Sequence, residues 1–124
     1  MAVWRRVWIV VGIGLVLAVV VLSLTPRAPE AGFVHGDKLH HLVAYFVLMH
    51  WHAQLHAGTG ARTGLALGFA ALGAILEWLQ GMTGYRDPSA VDAVANAAGV
   101  AVGWAAAPPR LPNLLDWVVA RGRR

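Results

Sequence analysis

The 124-residue chain contains no cysteine. That excludes disulfides, thiolate metal sites, a cysteine nucleophile and a cysteine-linked lipid anchor. Charge is scarce too. Asp, Glu, Lys and Arg make up 13% of the residues, where an average soluble domain carries about 25%. Hydrophobic residues reach 58%, with a mean hydropathy of +0.59. A water-facing surface cannot be built from this composition, so a soluble globular enzyme is excluded. Acidic residues are the rarer sign, six against ten Lys and Arg. The excess of +4 is scattered rather than striped. No nucleic-acid partner is therefore expected, and the sign reads as membrane orientation.

What is present is long apolar runs. Residues 7–26 carry no charge, and residues 39–61 carry five histidines but no Asp, Glu, Lys or Arg. A spanning helix needs about 20 apolar residues at ~1.5 Å each. Helices are expected at about 7–24, 38–57, 63–82 and 90–107, with Pro26 and Pro108-Pro109 as stops. The expected fold is an all-α integral membrane protein, one domain over 1–124, with four transmembrane helices in an up-down bundle. Segments 25–36, 58–62 and 83–89 read as turns. The tail 111–124 reads as a short amphipathic helix at the interface. The first run exceeds the ~7–15 residues of a signal-peptide core, so an uncleaved signal-anchor is expected.

Lys and Arg set the orientation. With the N-terminus in the cytoplasm, Arg5, Arg6, Arg62, Arg110, Arg121, Arg123 and Arg124 lie inside and Arg27, Lys38 and Arg86 outside. Seven against three places both termini in the cytoplasm. The polar residues then gather at the outer end. Asp37, Lys38 and His41 open the second helix, Glu77 and Gln80 close the third, and Asp92 and Asn96 open the fourth. Asp37, His41 and Tyr45 share one face at i, i+4, i+8. Asp92 and Asn96 share another that continues through Gly99 and Gly103, a small-residue seam for close helix approach. Ser89 stands where an N-cap is expected.

The string Asp37-Lys38-Leu-His-His41-Leu-Val-Ala44-Tyr45 resembles the D-K-x-x-H-x-x-A-Y motif of the VanZ-like family. Glu77-Trp-Leu-Gln80 is similar to its E-x-x-Q motif. The segment from Arg86 through Ser89, Asp92 and Asn96 to Gly99 is similar to R-x-x-S-x-x-D-x-x-x-N-x-x-G. Ser23-Leu-Thr-Pro26 resembles the S-x-x-P exit from the first helix. The resemblance covers residues 20–105. It implies a multi-pass protein of the bacterial cytoplasmic membrane, associated through the name-giving member with low-level teicoplanin resistance. It also suggests chemistry on lipid head groups or phosphate-linked lipid carriers. The histidines at 50, 52 and 56 lie outside the pattern.

The residue types fit such chemistry. His41 suits a general base or a nucleophile toward a phosphate ester, with Asp37 orienting its ring; the bland alternative is a buried histidine holding helices in register. Lys38 and Arg86 suit binding of a lipid phosphate, or else ion pairs with Asp92 and Glu77. Glu77 and Asp92 are further acid/base candidates. Gln80, Asn96 and Tyr45 are candidate substrate contacts, with Tyr45 also readable as an interface tyrosine. Asp37, His41, Glu77, Asp92 and Asn96 together would suit Mg²⁺ or Mn²⁺, without a recognised ligand spacing. His52 and His56, ~22–28 Å deeper along the helix than Asp37, read as interfacial anchors beside Trp51, with Trp4 and Trp8 in the same aromatic belt. Expected partners are membrane lipids, including a phosphorylated lipid or polyprenyl carrier. The competing reading is a non-catalytic protein that binds envelope lipid or a glycopeptide. Ion or proton transport is disfavoured, because no ionisable relay crosses helices one, three and four.

Overall fold

The computed structural model describes residues 2–26, 36–85 and 87–123. Among them are five helices and no strand: α1 (Ala2–Leu24), α2 (Gly36–Ala53), α3 (Thr59–Met82), α4 (Ala90–Ala105) and α5 (Leu114–Arg121). Two of these, α1 and α3, are long and apolar enough to cross a membrane, and α4 is a shorter apolar helix.

The contacts fix an up-down order. Near the start of α1, the Trp8 indole N–H donates to the Trp51 carbonyl at the end of α2, 3.1 Å away. The Trp51 indole returns a 2.9 Å bond to the Trp8 carbonyl, and the two rings stack at 3.8 Å. At the far end of α1, the Gln80 amide at the end of α3 donates to the Ser23 carbonyl. So α1 and α3 run one way, and α2 and α4 the other. The core between them holds Tyr45, Leu48, Met49, Phe69 and Val100.

The expected glycine seam joins α4 to α2. A Cβ at Gly99 would collide with the Leu42 carbonyl oxygen, and one at Gly103 would sit 2.9 Å from the Phe46 carbonyl oxygen. Backbone lies opposite, joined at Gly103 by the Met49 Cβ at 2.8 Å, and none of these atoms can swing away. Gly99→Ala is expected to cost about 1–3 kcal/mol of stability through overpacking. A Cβ at Gly68 in α3 would meet nothing within 4 Å. Gly68→Ala should leave stability unchanged or raise it by up to about 1 kcal/mol, because alanine favours helix. Thermal unfolding of both variants in detergent checks the contrast.

Several expectations are corrected. α2 stops at Ala53 rather than 57, and α3 starts at Thr59 rather than 63. The segment 58–62 is thus mostly helix: Arg62 N–H bonds the Gly58 carbonyl at 3.2 Å, closing the first turn of α3. His56 therefore lies beyond α2 and shares no helical face with His52. His52 is packed inward, its Nδ1 2.7 Å from the Leu48 carbonyl oxygen and its ring edge-on to Phe69. Trp8 is buried as well, so it belongs to the packing of α1 on α2 rather than to an exposed aromatic belt. The tail is helical as expected. Asn113 caps α5 by accepting from Asp116 N–H at 3.2 Å, and Arg121 lies 3.9 Å over the Trp117 ring.

Candidate functional site

Helix direction brings three termini to one end of the bundle: the start of α2, the end of α3 and the start of α4. Each contributes a buried ionisable side chain. His41 is 6% exposed, Glu77 5% and Asp92 2%. One ligand-capable atom from each lies within 4.8 Å of the other two.

Local sequence explains the placement. Ser89 caps α4, accepting the Asp92 N–H at 3.1 Å. The cap starts the helix so that Asp92 falls in its first turn, beside the partial positive charge of the helix N-terminus. Asn96 follows one turn later on the same face. Gly73 in α3 leaves it room, since a Cβ there would sit 3.0 Å from Asn96 Cβ. Asn96 Oδ1 then meets His41 Nδ1 at 2.9 Å. An amide oxygen only accepts, so Nδ1 is the donor in this bond. Nε2 faces Asp92 Oδ2 at 3.7 Å, and Glu77 Oε1 lies 3.8 Å from Nδ1.

Lys38 forms the rim. Its ammonium donates to Asp37 Oδ2 at 2.9 Å and to Asp92 Oδ1. The Lys38 side chain is 31% exposed and that of Asp37 39%, so the cluster opens to its surroundings on this side. Asp37 was expected to orient the His41 ring; its carboxylate pairs instead with Lys38, and Asn96 supplies the hydrogen bond to the ring. The two sit on different helices, 55 residues apart.

The other predicted residues divide. Gln80 is buried at the same end, but its amide nitrogen ties α3 to α1. Tyr45 is 2% exposed and belongs to the core, so it is no interface tyrosine. Its hydroxyl has no hydrogen-bond partner among the described residues. Arg86 lies outside the described residues.

One polar residue without a sequence signal is Gln54. Its Oε1 accepts the Leu114 N–H at 2.8 Å and its carbonyl accepts from Asn113, which seats α5 on the end of α2. A cavity of about 620 Å³ opens there, between Arg5, Gln54, Arg62, Pro108, Asn113 and Asp116. It has more space than chemistry. Arg62 is engaged on the Pro108 carbonyl and Gln54 on α5.

No protein-family model, curated protein or solved structure matches the chain.

Proposed function

We propose that this chain is a VanZ-like protein of the bacterial cytoplasmic membrane, with four spans and both termini inside. In this reading its polar end handles phosphate-bearing lipid head groups or phosphate-linked lipid carriers at the outer face. The observation that carries it is the meeting of His41, Glu77 and Asp92, from three helices, at one end of a bundle whose outside is apolar. Val10, Leu17 and Val21 on α1 are exposed, as are Leu67 and Trp78 on α3. Lipid is the solvent that suits such an exterior, and ionisable groups belong inside it. α2 and α4 complete the four spans. At 16 residues α4 is ~24 Å long, short of the ~30 Å hydrocarbon core. A locally thinned bilayer accommodates that and brings head groups toward its first turn.

The chemistry follows from the network. A lipid phosphate entering at the rim draws Lys38 from Asp92, exchanging one anion for another on the same ammonium. Nε2 of His41 then takes the proton of an attacking water as its oxygen bonds to phosphorus, and a proton passes to the head-group oxygen whose bond to phosphorus breaks, while Asn96 holds the ring in the tautomer that makes this possible. Glu77 supplies the second acid/base group. A binder would need Lys38 and Arg86 but no proton transfer at His41. Mass-spectrometric lipid analysis of membranes carrying wild type, His41→Gln or Arg86→Ala, matched for protein level, separates the two. An enzyme gives a head-group or polyprenyl-phosphate change that disappears in His41→Gln. Identical lipids in all three, with the proteins inserted, would refute catalysis.

A further inference from the structure

The same end of the bundle has the makings of a metal centre. His41, Glu77 and Asp92 come from α2, α3 and α4, so their backbones are held apart rigidly while their functional groups converge. One atom of each lies within 4.8 Å of the others. The separation of His41 Nε2 from Asp92 Oδ2, 3.7 Å, is too long for a hydrogen bond. It is close to the ~3.0–3.4 Å that separates two ligands each ~2.1 Å from one ion. A side-chain movement of a few tenths of an ångström closes that pair, and Glu77, whose Oε1 lies 3.8 Å from the other ring nitrogen, has further to turn.

The surroundings are arranged as around a ligand. A metal-bound imidazole ordinarily donates its other ring N–H to an oxygen, which fixes tautomer and orientation. His41 does this through Nδ1 to Asn96 Oδ1, at 2.9 Å. Lys38 takes Asp92 by Oδ1, and Oδ2 is turned to the imidazole. The Tyr45 hydroxyl, buried and without a hydrogen-bond partner among the described residues, sits one helical turn after His41 on the same face.

We infer that His41 Nε2, Glu77 and Asp92 Oδ2 bind one divalent cation, with Asn96 positioning the imidazole. Two carboxylates match a 2+ charge. One nitrogen among oxygens favours an ion at home with both donor types, Mn²⁺ or Zn²⁺, over Mg²⁺ or Ca²⁺. The inference rests on the head-group reading and revises its chemistry: with Nε2 committed to the ion, His41 no longer takes the proton, and the ion is the group to which a phosphate oxygen would bind. Its test reads metal rather than lipid.

The experiment strips purified, detergent-solubilised protein with a chelator and titrates it with Mn²⁺ or Zn²⁺. Bound metal is counted by mass spectrometry, and Mn²⁺ ligation is read by pulsed electron paramagnetic resonance. The expected result is about one ion per chain. Wild-type Mn²⁺ protein should show hyperfine coupling to a histidine nitrogen, a readout that needs no variant to fold. Glu77→Gln and Asp92→Asn should each weaken binding by at least ~10-fold, and Asn96→Ala by ~10–100-fold. His52→Gln, at the opposite end of α2, should bind as wild type does. No bound ion, or an ion without nitrogen coupling, overturns the inference. Metal binding with unchanged lipids in every strain refutes the head-group reading and leaves the metal site standing. Lipid turnover by protein that binds no ion does the reverse.

Discussion

Single cysteines at positions 87 and 58 will label from opposite sides of the membrane. The native chain has none, so each engineered thiol is the sole target of a maleimide. Asp87 is exposed in the connection between α3 and α4, and Gly58 is exposed immediately before α3. A Cβ at Gly58 would meet nothing within 4 Å, so the substitution disturbs no packing. The 24 residues of α3 lie between the two positions, a helix ~36 Å long against a ~30 Å hydrocarbon core. With a membrane-impermeant maleimide on intact cells, Asp87→Cys is expected to label nearly completely. Gly58→Cys should label only after permeabilisation. Labelling of both from outside would mean that α3 does not span, and labelling of Gly58→Cys alone would invert the orientation.

The second large effect is expected at Lys38. Asp92 is 2% exposed and receives the Lys38 ammonium at Oδ1. Removing one partner of a buried pair costs about 3–5 kcal/mol, because the remaining charge loses its compensation. Lys38→Met should therefore destabilise the protein by an amount near the lower end of that range, since Lys38 itself is partly exposed. Adding Asp92→Asn removes the charge that Lys38 helps to balance. The double variant should recover much of the stability but none of the function, because Asp92 belongs to the site. Thermal unfolding in detergent, paired with the lipid analysis, reads both. A Lys38→Met protein as stable as wild type would show that this pair matters little to the fold.

Sequence pattern revealed the features that depend on neighbours along one helix. The uncharged run from residue 7 marked α1, Ser89 marked the start of α4, and the four-residue spacing of Asp92, Asn96, Gly99 and Gly103 marked the face that meets α2. Opposite α2 those glycines are needed because carbonyl oxygens lie where a Cβ would go. The convergence of His41, Glu77 and Asp92 was also legible, since an up-down bundle sends those helix ends to the same side. Pairings across helices were not. His41 with Asn96 is one such case, and Asp37 stood closer in sequence as the apparent partner. Trp8 and His52 were misplaced for a related reason. Hydropathy treats tryptophan and histidine near a helix end alike, whether they face lipid or, as here, a neighbouring helix. Gln54 carried no signal, because its partner α5 is 60 residues away in sequence. The turn assigned to 58–62 failed on its glycines: Gly58 lies just outside α3 and Gly60 within its first turn, where helix propensity is only a weak guide.

The most direct measurement uses purified protein in vesicles that contain a phosphate-bearing lipid and an undecaprenyl-type phosphate, with products followed by mass spectrometry. Wild type and His52→Gln should both convert lipid, since His52 packs against Gly12 and Phe69 at the other end of the bundle. His41→Gln should convert none while unfolding at a similar temperature. Equal conversion by His41→Gln and wild type, or conversion lost in His52→Gln and kept in His41→Gln, would contradict the placement of the chemistry at His41, Glu77 and Asp92.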